Sequence, residues 1–186
     1  MVGGMAIIPD DKNWTWVLER PCPECGFVTD DWPADEIGAR IRANAAAWPA
    51  LLADPRARVR PDDAHWSALE YGCHVRDVFR LGQYRLGLML DQDAPRFANW
   101  DQDVTAIEDR YGEQDPRSVI AEIEAAAVAF AERYDAVSGA DWQRTGLRSD
   151  GAAFTVESFA RYLIHDPVHH VWDVQQGYDR LAAADV

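Results

Sequence analysis

The sequence predicts an all-α protein, a four-helix bundle preceded by a short irregular N-terminal extension. Four long stretches carry apolar residues at three- or four-residue spacing, which is the periodicity of a helix with one buried face. No convincing set of strands accompanies them. The chain has 186 residues and is 48% hydrophobic, enough to bury the core of one domain. We therefore divide it into an extension over residues 1–32 and a bundle over residues 33–186.

The extension is rich in proline and aromatic residues. Trp14 and Trp16, two positions apart, predict a short extended segment packed on the bundle. The first bundle helix is predicted over residues 33–52, because a proline at position 33 suits a helix start and Pro55 stands beyond the last apolar position.

The second and third helices have recognisable start signals. The second is predicted over residues 64–90, with Asp62 and Asp63 favourable at its N-terminus. Asp115 followed by Pro116 begins the third helix, since aspartate caps well and proline suits the first helical position.

The remaining segments connect these helices and complete the bundle. Residues 91–103 and 140–154 are predicted as loops, the second with a few extended residues. Thr105 and Glu108 have capping-box spacing, which predicts a short helix between them and Gly112. The last helix is predicted over residues 156–183.

The charge balance excludes several function classes. The formal net charge is −14, so the chain repels nucleic acid and offers no basic patch to an anionic membrane. Residues 1–14 lack the features of a secretory signal. Three cysteines do not form a disulfide framework. We predict a cytoplasmic, bacterial protein acting on a small molecule; homodimer formation is left open.

The five histidines fall into two groups. His65 and His74 belong to the second helix, and His165, His169 and His170 belong to the last. His165 and His169 are four residues apart, so they share one helix face. With His74 from the second helix they would provide three imidazoles to a divalent metal and leave one position open for water or substrate.

Other roles are open for the neighbouring residues. A histidine pair at this spacing is by itself a weak indication of a metal, since most helix histidines are core or surface residues. His65 is predicted at the surface, and His170 as a packing or supporting residue. Asp77 and Asp166 are candidates to accept hydrogen bonds from ligand imidazoles, or are solvated helix charges.

Pro167 lies between His165 and His169. Proline inside a helix removes a hydrogen bond and clashes with the preceding turn. We predict that the helix bends there and continues, because the apolar pattern does not break. The alternative is a new helix with Asp166 as its N-cap, which would distort the histidine pair.

The extension contains a CxxC motif, Cys22-Pro23-Glu24-Cys25. A zinc knuckle needs two more ligands, and the chain has no second CxxC. A thioredoxin-like role needs a βαβ setting that is missing here. The motif is therefore left as a local structural feature, a redox pair, or a metal site completed by the bundle. Cys73 is predicted to be a small core residue.

Residues 71–77, YGCHVRD, followed much later by residues 165–170, HDPVHH, resemble the DinB-like superfamily. This superfamily includes the N-terminal domain of mycothiol-dependent maleylpyruvate isomerase. The resemblance covers residues 33–183 and implies a four-helix bundle with a divalent metal held by His74, His165 and His169. It also implies thiol transfer, in which the metal holds a small thiol such as mycothiol as the thiolate that attacks an electrophile.

Three hypotheses for the function follow. The first is a metal-dependent thiol transferase or hydrolase that activates a small thiol or water; zinc, nickel and iron(II) all accept three imidazoles. The second is a non-catalytic metal-binding or interaction bundle. The third is a redox or zinc-bound module at Cys22 and Cys25.

Overall fold

The computed structural model describes residues 13–184 and confirms the four-helix bundle. Its helices are α1 (Ile37–Ala45), α2 (Trp48–Leu52), α3 (Ala68–Asp91), α4 (Gln102–Glu108), α5 (Pro116–Asp135) and α6 (Val156–Ala184). Helices α1 and α3 each pack against both α5 and α6, so the order around the bundle is α1, α5, α3, α6. The consecutive long helices α1 and α3 are therefore diagonal partners.

Two helix starts show how capping decides the boundaries. Helix α3 begins at Ala68, not at residue 64, because Ser67 and Glu70 form a capping box. Asp62 and Asp63, predicted at the N-terminus of this helix, precede it instead, and the Asp62 carboxylate lies 2.6 Å from His65 Nδ1. Helix α5 begins at Pro116 behind an Asp115 cap, as predicted.

The first predicted helix is divided in two. Helix α1 ends at Ala45 and α2 begins at Trp48. Pro49 has no N–H to donate to the Ala45 carbonyl, so a continuous helix would lose that hydrogen bond. The interruption leaves both pieces packed against α5.

The N-terminal segment also differs from its prediction. Trp14–Leu18 forms a 3-10 helix rather than an extended segment, because the Asn13 side chain accepts a hydrogen bond from the Thr15 N–H. The prediction that no secretory signal is present rests on residues 1–14, of which residues 1–12 lie outside the described part of the chain.

A small sheet completes the fold. It comprises β1 (Arg96–Phe97), β2 (Thr145–Arg148) and β3 (Ala153–Thr155), in the order β1-β2-β3. Strand β2 pairs in parallel with β1 and antiparallel with β3. Such strands are too short to show an alternating pattern, which is why the sequence predicted mainly loops here.

Helix α6 runs without a break through Pro167, which confirms the predicted continuity of the last helix. The Pro167 carbonyl accepts a hydrogen bond of 2.8 Å from the Asn44 side chain on α1. Among the residues from 13 to 184, no helix combines the length and apolar character needed to cross a bilayer.

Candidate metal centres on the last helix

Two groups of potential metal ligands lie on adjacent faces of α6. The four-donor cluster contains Cys22, Cys25, His165 and His169, and the three-donor cluster contains His74, Asp166 and His170. Within each cluster, one donor atom of every residue lies within 4.8 Å of the others. The four-residue spacing of each α6 pair places its two members on one face of the helix.

The structure divides the histidines that the sequence assigned to a single metal. His165 and His169 come together, but their partners are the two cysteines of the N-terminal segment. His74 reaches the neighbouring face of α6, where it meets Asp166 and His170 instead. The predicted ligand set of three imidazoles is therefore distributed over two clusters.

In the three-donor cluster, the donor atoms converge from two helices. His74 Nε2 on α3 lies 3.2 Å from Asp166 Oδ1, and His170 Nε2 lies 3.5 Å from the same oxygen. The ring centroids of His74 and His170 are 4.8 Å apart. His170 Nδ1 lies 2.8 Å from the Asp173 carboxylate. Donation to Asp173 leaves the lone pair of His170 on Nε2, the atom directed at the cluster.

The charge state of this cluster suits a divalent ion. Although desolvation acts to raise the pKa of the Asp166 carboxyl, the positive charge that His74 and His170 carry when protonated lowers it below its usual range. Asp166 is therefore an anionic oxygen donor at neutral pH. Two imidazoles and one carboxylate form a donor set that zinc and other divalent metals accept, so these residues fit an ion.

Aromatic side chains surround the three-donor cluster. Trp100 stacks on His74 at 5.1 Å with the rings 4° from parallel, and Trp66 lies 5.3 Å away from the same imidazole. Tyr71 packs on His170 at 4.8 Å. The Trp100 Nε1–H donates to Thr105 Oγ1, which fixes the indole. The loop before α4, which carries Trp100, thus contributes to the rim of this site.

The four-donor cluster joins α6 to the N-terminal segment. Cys22 Sγ lies 3.7 Å from His169 Nδ1, and Cys25 Sγ lies 3.6 Å from His165 Nε2. Cys22 and both histidines are buried, whereas Cys25 is half-buried. Both cysteines are free thiols.

Burial controls protonation in the four-donor cluster. Desolvation, reinforced by His169, lowers the pKa of His165 to about 4. Desolvation also lowers the pKa of His169. Desolvation raises the pKa of the Cys25 thiol to about 12. Without a metal, both imidazoles are therefore neutral at pH 7 and the Cys25 thiol keeps its proton.

The other candidate residues lie outside both clusters. Asp77 pairs with the neighbouring Arg76 at 2.8 Å and accepts a hydrogen bond of 2.6 Å from the Tyr111 hydroxyl. His65 pairs with Asp62. Cys73 is fully buried in the hydrophobic core, which confirms its predicted packing role.

Sequence reasoning missed Asp173 and the contact between Trp100 and His74, and it gave Asp166 and His170 only supporting roles. One signal was available: Asp166 and His170 have the same four-residue spacing as the histidine pair. Asp173 is three residues beyond His170, the next position along that face. No local signal connects Trp100 to a histidine on α3.

Residues 38–174 match the family model of the DinB superfamily. No curated protein matches the chain. Among solved structures, the chain is similar to YfiT from Bacillus subtilis, which is described as a probable metal-dependent hydrolase with an unusual four-helix bundle topology. The TM-score is 0.65 at 15% identity, over 94% of this chain and 93% of that chain. At this identity the likeness shows a shared fold.

Proposed function

The chain belongs to the DinB superfamily, and we propose that it is a metal-dependent enzyme whose catalytic ion is held by His74, Asp166 and His170. The observation that carries the proposal is the convergence of two imidazole nitrogens and one carboxylate oxygen from two helices. The Asp166 side chain is 35% exposed, so one side of the cluster reaches solvent. Two histidines and a carboxylate are a ligand set of catalytic zinc, which keeps a position for water or substrate.

A divalent ion in this cluster would supply Lewis acidity and lower the pKa of a molecule in its open position. The protein contributes orientation: Asp173 accepts the Nδ1–H of His170, and Trp100 holds the plane of His74 by stacking. The surrounding rings of Trp66 and Tyr71 exclude water from the inner side of the cluster. Lower local polarity strengthens the electrostatic effect of a bound charge.

The reaction that this donor set favours is hydrolysis of a small electrophilic substrate. Two histidines with a carboxylate recur in hydrolytic zinc enzymes, and the similar fold of YfiT carries the description of a hydrolase. Thiol transfer from mycothiol or another small thiol is the second candidate. It is supported by the superfamily resemblance and by the open position, which a thiolate can occupy in place of water.

Metal analysis combined with turnover tests the proposal. The purified protein would be assayed with small activated esters and amides, and separately with mycothiol plus a reactive electrophile. His170→Ala is expected to lose both the ion of this cluster and turnover, whereas His65→Ala, outside both clusters, keeps them. Turnover that survives His170→Ala would contradict the proposal. A fully loaded wild-type protein that turns over neither substrate class would favour the non-catalytic binding bundle.

A further inference from the structure

We propose that Cys22, Cys25, His165 and His169 bind a second, structural zinc ion, which fastens the N-terminal segment to α6. This site is separate from the three-donor cluster and does not depend on the proposed reaction. Its four donors come from two distant regions of the chain: Cys25 and His165 are 140 residues apart, and Cys22 and His169 are 147 residues apart. An ion between them would therefore act as a cross-link.

Two sulfur–nitrogen distances in the cluster match a tetrahedral ion, and all four donor atoms lie within 4.8 Å of one another. With Zn–S near 2.3 Å and Zn–N near 2.0–2.1 Å, a tetrahedral site separates sulfur and nitrogen by about 3.5 Å. Cys22 Sγ and His169 Nδ1 are 3.7 Å apart, and Cys25 Sγ and His165 Nε2 are 3.6 Å apart. Two sulfur and two nitrogen donors in this geometry select zinc over metals that prefer oxygen ligands.

A carboxylate supports one of the imidazole donors. His169 presents Nδ1 to Cys22, while its Nε2 lies 3.2 Å from Glu24 and 3.7 Å from Asp173. Metal-bound histidines commonly donate the other ring N–H to a carboxylate, which fixes the tautomer and orients the ring. The Glu24 residue between the two cysteines thus has a position typical of a supporting acceptor.

The backbone around the cysteines forms a compact turn. The Gly26 N–H donates to the Cys22 carbonyl at 3.0 Å, and the Cys22 N–H donates to the Phe27 carbonyl at 2.8 Å. Gly26 has a φ of +74°, a conformation that L side chains rarely adopt. The turn therefore directs both sulfur atoms towards α6.

The charge balance explains how an ion could be buried here. Zinc binding displaces the two thiol protons into solvent, and two thiolates then neutralise the charge of the divalent ion. Neutrality lowers the cost of placing the ion among buried residues. Four protein donors complete a tetrahedral shell and leave no position for substrate, which is typical of a structural site.

X-ray absorption at the zinc edge of the wild-type protein tests the site without relying on a variant. The expected spectrum contains zinc–sulfur scattering near 2.3 Å, whether or not the three-donor cluster is loaded. In a Cys22→Ser/Cys25→Ser variant, this scattering and one zinc ion per chain should disappear. Cys73→Ser is the matched control, because Cys73 is a free thiol on α3, buried in the hydrophobic core. This variant should keep the zinc ion.

Thiol alkylation provides the second measurement. Iodoacetamide should leave Cys22 and Cys25 unmodified in the zinc-loaded protein and modify both after chelation. A wild-type zinc spectrum with only nitrogen and oxygen neighbours would overturn the proposal. So would a Cys22–Cys25 disulfide in the purified protein, or unchanged zinc content in the double serine variant.

Discussion

The two clusters on α6 use neighbouring residues of the same two turns but differ in the origin of their partners. The three-donor cluster joins α6 to α3, and all of its residues lie within the range that matches the DinB superfamily. The four-donor cluster joins α6 to Cys22 and Cys25, which precede that range. The N-terminal segment therefore brings a second donor set to a bundle that already has one.

The clusters also differ in how completely their donors would fill the coordination shell of an ion, and in the charge that the donors carry. Two thiolates would neutralise a divalent ion in the four-donor cluster and fill its coordination. One carboxylate leaves an ion in the three-donor cluster with a net positive charge and an open position. The number and type of donors, rather than the helix that carries them, therefore distinguish the proposed structural role of one cluster from the proposed catalytic role of the other.

The largest expected effect comes from removing the α3 donor. His74→Ala should weaken metal binding in the three-donor cluster by more than about 100-fold. Replacing a residue that only supports a ligand already lowers metal affinity by about 10–100-fold, and His74 is itself a proposed ligand. The sulfur-ligated zinc should be unaffected. Titration against a chelating dye measures both. Loss of the sulfur-ligated zinc in His74→Ala would mean that the clusters are not independent, and His65→Ala serves as the control.

The second prediction concerns the four-donor cluster without its metal. Burial lowers the pKa of His165 to about 4 in the folded chain, whereas the pKa of histidine in an unfolded chain is about 6.5. Between these two pH values His165 binds a proton more readily in the unfolded chain than in the folded one. The free energy of unfolding should therefore be highest above pH 6.5 and fall by about 3 kcal/mol as the pH is lowered to 4. Urea unfolding of the chelator-treated protein measures this change.

His165→Gln should remove most of this dependence in the metal-free protein, since glutamine does not titrate. A wild-type unfolding free energy that stays constant between pH 6.5 and 4 would contradict the prediction. An equal pH dependence in His165→Gln would assign the effect to another group.

Asp173 lies between the clusters and should affect them unequally. Its carboxylate is 2.8 Å from His170 Nδ1 but 3.7 Å from His169 Nε2. Asp173→Asn should therefore weaken binding in the three-donor cluster by about 10–100-fold, with a smaller effect on the four-donor cluster. Asp179→Asn, at an exposed position of the same helix, is the control. Equal losses at both clusters would contradict this ranking.

The smallest effect on metal binding is expected from the packing between α3 and α6. A Cβ at Gly82 on α3 would lie 2.6 Å from Phe130 Cζ on α5, and it would also contact Leu163 on α6. Gly82→Ala should destabilise the fold by about 1–3 kcal/mol and weaken only the cluster that spans the two helices.

Thermal unfolding and dye titration measure these changes. Gly87→Ala is the matched control, because the nearest atoms to its Cβ would belong to the flexible end of Arg133. If Gly82→Ala releases zinc from the four-donor cluster as readily as from the other, the proposed independence of the two sites is wrong.

Much of the bundle could be predicted because its signals are local. The apolar spacing located the long helices, and Asp115 with Pro116 marked the start of α5 correctly. The histidine pairing across Pro167 also followed from spacing along one helix. The start of α3 was predicted four residues too early, at residue 64, because the Ser67–Glu70 capping box was not recognised.

The division of the ligands could not be predicted, because it depends on which chain segments cover each face of α6. Periodicity places His165 with His169 and Asp166 with His170, but it does not state which pair faces His74 on α3. The position of Cys22 and Cys25 depends on the path of an irregular segment without helical periodicity. Long-range packing, rather than local preference, decides both.

Anomalous diffraction from a crystal of the zinc-loaded protein tests the central claim most directly. Data collected on both sides of the zinc absorption edge would locate each ion independently of its assigned ligands. We predict two peaks, one among Cys22, Cys25, His165 and His169 and the other among His74, Asp166 and His170. A single peak shared by His74, His165 and His169 would contradict the account.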